Sequence, residues 1–436
     1  MSIRPHLGET LTRQEIADNF ADLHPPFSPT QAMAEAARCL YCYDAPCVKA
    51  CPTAIDIPGF IHRIRSGNLD GSAKTILSAN IMGGTCGRAC PTEVLCEQAC
   101  VLNGRDDQPV KIGQLQRHAV EHLIESGAGH PFRRAPPTGR RLAVIGAGPA
   151  GLSFAHRAAM LGHGVTVFEA KPKPGGLNEY GLAAYKMAED FAQKEVAFLL
   201  GIGGIVIEYG KALGPALTLD ALRQRFDGVF IGAGLGGVNR LGVPGEELAR
   251  DALDFIAELR QAKDKSAVKI GHDVIVIGGG NTAIDAAVQA RRLGARNVTL
   301  VYRRGAEAMS ATGWEQDLAR TNGVVVKLWS APVKFEPGRA SFAKTRLNGK
   351  FETTDETYSL PADMILLAIG QKLDAAPLAG LKLDGNKLWV NANYQTSLPG
   401  IFAGGDCIKA GEDLTVQAVE DGKRAAHAAD AWLKGR

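Results

Sequence analysis

The sequence predicts an α/β chain: an N-terminal α-helical domain bearing two cysteine blocks, then two Rossmann-like domains, the second inserted in the first. Three observations lead there. Eight of the nine cysteines fall in "CLYCYDAPCVKACP", from Cys39, and "CGRACPTEVLCEQAC", ending at Cys100. Two glycine fingerprints, each following an apolar strand and opening a helix, begin at Gly146 and Gly278. Strand-like runs near Ile231 and Leu366 bracket the second fingerprint, and "GIFAGGD", Gly400 to Asp406, precedes a closing helix.

Composition narrows the function classes. The 436 residues suffice for two or three domains, each with its own core. Lys and Arg total 49 against 46 acids, a balance that offers no strong field to nucleic acid or to an anionic membrane. The longest apolar run, Val196 to Ile207, is broken by Gly201, Gly203 and Gly204 and is too short to cross a bilayer. The opening "MSIRPHLGETLTRQE" carries charges and no apolar leader core, which together with reduced thiols points to the cytoplasm.

In chain order, Ser28, Pro29 and Gln31 form a capping-box start for a helix running into Cys39, and the pattern stays helical to about residue 128. "GHPFRRAPPTGRR", Gly129 to Arg141, reads as a linker. "RLAVIGAGPAGLSFAHRAAMLGHGVTVFEA" and "DVIVIGGGNTAIDAAVQARRLGARNVTLVYRR" each read as strand, glycine turn, helix, strand. The expected domains are 1–138, then 139–240 with 366–436, and 241–365 as the insertion. Two connections between the dinucleotide domains would let them pivot.

Three chemistries compete for the clustered thiols. Disulfides call for an oxidising compartment. Structural zinc favours paired C-x2-C knuckles, whereas the gaps here are two, four and three, then three, five and three. Ferredoxin-type ligation uses closely spaced cysteines ending in Cys-Pro, as in Cys51-Pro52 and Cys90-Pro91. Soft thiolates suit iron, and two [4Fe-4S] clusters is the reading.

In the first fingerprint, Gly146 permits the tight turn, Gly148 lets backbone approach a diphosphate, and Gly151 lets helix and strand pack, with Pro149 and Ala150 between them. Glu169 closes the next strand, placed to accept from a ribose. The second fingerprint is Gly278, Gly280, Ala283, with Asn281, Thr282 and Asp285 on the opening helix. Its second strand ends in Arg303-Arg304, which either favour a 2′-phosphate or hold parts common to both nicotinamide coenzymes.

"PGGL", with Gly176 and Leu177, and "IFAGGD", with Gly405 and Asp406, resemble the flavin motifs of two-dinucleotide-domain flavoprotein reductases. That resemblance implies FAD at the first site. Thr415 begins the last helix, whose N-terminus suits negative charge on a reduced flavin, and Gly370, in "AIG", is a further candidate cofactor neighbour. Together with the cysteines these residues resemble the flavin-containing subunit of bacterial dihydropyrimidine dehydrogenase, from about Ser28 to the end. The five-residue gap between Cys90 and Cys96 separates it from the glutamate synthase small subunit, which shares the architecture.

The resemblance implies that Cys39, Cys42, Cys47 and Cys100 ligate one cluster, and Cys51, Cys90, Cys96 and the Gln116 amide the other. Counting thiols alone would put Cys86 in place of Gln116. Gln116 falls near the apolar face of its helix, where an amide needs a partner. Lys186 stands where the family has an arginine against the flavin. Ser310 replaces an arginine of NADPH-using relatives, so NAD(H) is expected, with NADP(H) as the alternative. The resemblance further implies a partner barrel subunit with FMN, iron–sulfur clusters and the pyrimidine site, in a heterotetramer. A glutamate-synthase-like subunit, or an electron-transfer module for another acceptor, is the competing reading. Hydride passage to a flavin needs no general acid or base, so no catalytic residue is nominated.

Overall fold

A computed structural model describes residues 11–106, 108–409 and 411–435; the charged stretch from Met1 to Thr10 lies outside the described residues. The chain forms two compact units. One, the thiol-bearing unit, comprises His24–Glu179, Glu189–Gly237 and the chain from Lys372 onward. The other, the inserted unit, comprises the segment up to Leu23, Tyr180–Ala188 and Val238–Gln371.

The thiol-bearing unit opens with short helices. Ser28 and Gln31 form the expected capping box on Pro29–Ala36. The helix then stops at Ala36, short of Cys39. Asp56 accepts from Gly59 N ahead of Ile57–Arg65, and Asn68 from Gly71 N ahead of Leu69–Ala79. These caps satisfy amides that the first helical turn leaves unpaired. Ile57, Phe60, Ile61 and Ile64 face a core shared with Ile76, Leu77, Leu115 and Val120. The helices Gly83–Ala89 and Ile112–Ser126 pack closely, since a Cβ on Gly87 would stand 2.8 Å from Arg117 N. No helix or strand occurs between Ser126 and Arg141, as expected of a linker.

The sheet of this unit is parallel, in the order Ile401–Ala403, Gly228–Ile231, Arg141–Ile145, Gly164–Glu169, Ile205–Tyr209. Its inner strands Arg141–Ile145 and Gly228–Ile231 are apolar runs because both faces are covered, whereas the edge strand Ile205–Tyr209 leaves Val206 and Tyr209 exposed. The helices Pro149–Met160 and Thr415–Lys434 touch backbone to backbone, and a Cβ on Gly422 would fall 2.1 Å from Ala150 O.

The inserted unit holds a second parallel sheet, ordered Arg250–Asp251, Met364–Leu367, Asp273–Ile277, Asn297–Val301, Val325–Lys327. A three-stranded antiparallel sheet, Ser330–Glu336, Gly338–Asn348 and Lys350–Ala362, lies between its last two strands in sequence. It packs Phe335 and Phe342 against Ile275, Ile277 and Val301.

Three features differ from expectation. The strand Met364–Leu367 pairs with Asp273–Ile277 in the inserted sheet, so the chain returns to the first domain at Lys372 and not near residue 366. The segment 11–23 belongs to the inserted unit, where Leu11, Ile16 and Phe20 are core residues. The chain passes between the units five times, after Leu23, Glu179, Ala188, Gly237 and Gln371, where two connections were expected. Among the described residues no helix is long and apolar enough to cross a membrane.

Candidate functional site

The first thiol set surrounds one cavity. Cys39, Cys42, Cys47 and Cys100 line it together, with Ile57, Ile61, Val110 and Ile112 forming apolar wall. Burial, reinforced by Cys39 and Cys100, pushes the Cys47 thiol up to about 11, and burial raises Cys39 as well. Four thiolates could coexist there only against cations, which a cubane supplies.

Cys51, Cys86, Cys90 and Cys96 form a second set, each near enough to others to feel their charge. Burial drives Cys90 and Cys96 well above the usual thiol range. Among the described residues no three His, Cys, Asp or Glu side chains are placed to hold one metal ion. A four-iron cluster makes no such demand, because each corner takes a single ligand.

The Asn80 amide donates to Cys86 Sγ at 3.2 Å, engaging that thiol from within the core. Gln116, 6% exposed, donates from Nε2 to Gly83 O at 2.7 Å. Cys51, Cys90 and Cys96 with the buried Gln116 amide offer a donor set for a cluster, and Cys86 is a buried thiol with a hydrogen-bond partner.

At the first fingerprint the backbone is bare where a diphosphate would lie. Gly146 has φ +89°, and a Cβ there would meet Gly232 O at 2.5 Å. The "PGGL" turn folds over the fingerprint, with Gly175 N donating to Ala147 O at 2.7 Å. Gly148 precedes the helix, whose first turn offers free amides beside Pro149 and Ala150. Glu169 accepts from Ala147 N and Lys171 N, both at 2.7 Å, which fixes its carboxylate at the strand end. Asp421, fully buried, accepts from Gly405 N at 2.9 Å and orients the "AGGDC" loop. Burial, then Asp413, pushes Asp406 up to about 6. The Thr415 hydroxyl donates to Asn178 Oδ1 at 2.7 Å, tying the last helix to the residue after Leu177, itself 40% exposed. These residues fit a dinucleotide.

In the inserted unit, Gly278 has φ +149° and a Cβ there would lie 2.2 Å from Ala368 O. Gly280 caps the helix Asn281–Arg292, with Ser310 Oγ 3.2 Å from where its Cβ would be. Asn281 Oδ1 is buried with no donor among the described residues, an orphan that a coenzyme hydroxyl or amide would satisfy. Thr282 follows it in the first turn. Arg303 and Arg304 are exposed at the end of Asn297–Val301, with the Arg303 guanidinium 5.6 Å from the Phe351 ring centre. Gly370, at φ +88°, accepts from Asn239 N near the end of this unit.

Lys186 departs from expectation. It belongs to the inserted unit, where its Nζ lies 2.7 Å from Asp285 and 2.5 Å from Glu315. Burial alone would lower its pKa, but the two carboxylates outweigh that and hold it at about 12. Tyr185 OH donates to the same Asp285 at 3.2 Å. Asp285 is thus committed to a buried ion pair. The resemblance put Lys186 against the flavin, and sequence could not show its pairing because Asp285 and Glu315 lie about a hundred residues or more away along the chain.

Two dinucleotide cradles and a helical section with two thiol sets define a flavin- and nicotinamide-dependent oxidoreductase with an iron–sulfur front. Residues 16–128 match the model of dihydropyrimidine dehydrogenase domain II, 4Fe-4S cluster, and residues 140–422 that of pyridine nucleotide-disulphide oxidoreductase. The chain is 34% identical over 418 residues to the NAD-dependent dihydropyrimidine dehydrogenase subunit PreT of Escherichia coli strain K12, covering 96% of this chain and 98% of that one. It is 32% identical over 449 residues to the glutamate synthase [NADPH] small chain of the same strain, covering 95% and 94%. The chain belongs to this family of pyridine nucleotide-disulphide oxidoreductases with an N-terminal 4Fe-4S domain, which includes PreT.

Among solved structures, Mycobacterium tuberculosis FprA in complex with NADPH superposes with TM-score 0.58 at 18% identity, covering 69% of this chain and 85% of that one. Lactococcus lactis thioredoxin reductase gives 0.55 at 21%, covering 68% and 100%. Both share the fold. The chain is an oxidoreductase, and its domains take 4Fe-4S, FAD and a nicotinamide coenzyme.

Proposed function

We propose that this chain is the NADH-oxidising subunit of a dihydropyrimidine dehydrogenase, feeding a partner barrel subunit with FMN and further clusters. On that partner uracil and thymine become their 5,6-dihydro forms, or the reverse, within a heterotetramer. The observation that carries the reading is the gathering of Cys39, Cys42, Cys47 and Cys100 around one cavity, with Cys51, Cys90 and Cys96 near one another, in the same compact unit as the first fingerprint. When bound, FAD supplies the exchange between a two-electron hydride and one-electron iron–sulfur carriers.

The protein's own residues do the positioning. Gly146, Gly148 and Gly176 clear the backbone approach, Glu169 presents a fixed acceptor, and Asp421 orients the loop at Gly405. Cys39, Cys42, Cys47 and Cys100 hold one four-iron cluster; Cys51, Cys90, Cys96 and Gln116 hold the other. Asn281 presents its orphan oxygen to the coenzyme, and Arg303 and Arg304 stand at its adenosine end. Leu177, Asp406, Thr415 and Gly370 border the two cofactors.

The likeness to PreT, an NAD-dependent dihydropyrimidine dehydrogenase subunit, supports the pyrimidine reading, and the 94% coverage of the glutamate synthase small chain is what favours a second one. Co-expression with a barrel subunit separates them. NADH-dependent loss of uracil absorbance is expected. Glutamate formed from glutamine and 2-oxoglutarate would overturn the assignment.

A further inference from the structure

The helix Gly83–Ala89 carries Cys86, ends on Cys90, and has no side-chain cap of its own at Met82. Its first-turn amides are satisfied from far along the chain. Glu195 Oε1 accepts from Gly84 N at 2.8 Å and from Thr85 N at 3.0 Å, while the Thr85 hydroxyl donates to Oε2. Glu195 is 1% exposed and lies on Phe191–Leu200, a helix of the first dinucleotide domain that leads into the edge strand Ile205–Tyr209.

Side-chain packing reinforces this junction. A Cβ on Gly84 would fall 2.4 Å from the Phe191 ring and 2.9 Å from Glu195 Oε1, so only glycine lets the helices approach this closely. The Arg88 guanidinium sits 4.1 Å from the Phe191 ring centre and pairs with Glu121, which also takes Arg117. The same turn receives Gln116 Nε2 at Gly83 O, and Met82 Sδ receives Asn178 Nδ2 at 3.6 Å. The helix leading to Cys90 is therefore held from both the thiol side and the dinucleotide side.

We propose that Glu195 is a positioning residue for the second thiol set: a cap, supplied by the dinucleotide domain, that fixes the helix Gly83–Ala89 and with it Cys90 and the Gly83 carbonyl that orients Gln116. The inference rests on the reading of that set as a cluster site. Three bonds to one buried carboxyl group form a strong cap, because each satisfies a donor that burial would otherwise leave unpaired. Losing such a cap lets the first turn open.

The test uses anaerobically purified full-length protein carrying Glu195→Ala or Glu195→Gln. Glutamine keeps an oxygen for Gly84 N and Thr85 N without the charge. In Glu195→Ala, iron is expected to fall from about eight toward about four per chain. The resonance spectrum of the reduced protein should lose the signal of one cluster, and amide exchange across 83–90 should quicken about tenfold or more, the equivalent of a lost cap. Bound flavin should stay at the wild-type level. Glu195→Gln should restore iron, spectrum and exchange.

Wild-type iron, spectrum and exchange in Glu195→Ala would overturn the proposal, as would a Glu195→Gln protein as deficient as Glu195→Ala. If Glu195→Ala does not fold, Thr85→Val removes one bond isosterically and should broaden or shift the same cluster signal; an unchanged signal then overturns it. Fewer than about eight irons in the wild type would instead remove the cluster reading itself.

Discussion

Gly176 and Gly148 meet backbone to backbone: a Cβ on Gly176 would lie 2.7 Å from Gly148 Cα. The "PGGL" turn thereby closes over the first fingerprint at the place where a diphosphate needs bare main chain. Gly176 also has φ +55°, a conformation that costs a side-chain-bearing residue about 1–3 kcal/mol. Gly176→Ala should therefore weaken flavin retention about tenfold or more, with iron content unchanged. The ratio of flavin absorbance to protein after gel filtration checks this.

Removing one thiol from the first set should cost one cluster. Cys100 comes from the second cysteine block yet lines the cavity with Cys39, Cys42 and Cys47. Cys100→Ser should leave about four irons per chain and the flavin intact. Loss of both clusters would show that the two sets are not independent.

Asn281 holds a buried amide oxygen that no donor among the described residues reaches. Asn281→Ala removes an acceptor whose hydrogen bond to coenzyme is worth about 1 kcal/mol, so the KM for NADH should rise about fivefold. Flavin content should not change. Parallel assays with NADPH would show which coenzyme loses more.

Lys186 is the counter-charge for two buried carboxylates, Asp285 and Glu315. Lys186→Met leaves them uncompensated, at a cost of about 3–5 kcal/mol. Thermal unfolding should begin several degrees earlier. Adding Asp285→Asn to the same protein should recover part of the loss.

His156 is buried with its Nε2 3.2 Å from that of His130. Burial, then the charge of His130 and Arg157, lowers its pKa to about 3. The folded chain thus keeps this imidazole neutral, while the unfolded chain protonates it below about pH 6.5. Stability from this group is complete above that pH and declines as pH falls toward about 3. Urea midpoints measured from pH 7.5 to 4.5 should drop, and His156→Phe should flatten the slope.

Much of the site was legible because its signals are local. Cysteine spacing sets which thiols one loop can offer a cluster, and a glycine turn between apolar strand and helix encodes its own backbone geometry at Gly146, Gly148, Gly278 and Gly280. Ser28 with Gln31 announced a helix start for the same reason, since a capping box is closed within four residues.

What sequence alone determined, then, was the kind of element at each place and the groups it presents. Tertiary structure decided the partnerships. Met364–Leu367 is an apolar strand with three of its four residues buried, so no alternation marks which sheet it joins, and pairing with Asp273–Ile277 moved the domain boundary. Lys186 found Asp285 and Glu315, and Glu195 found Gly84 and Thr85, across separations of about a hundred residues or more. Such contacts arise only when whole layers pack, because a buried charge or an unpaired amide must be satisfied by whatever the fold brings within reach.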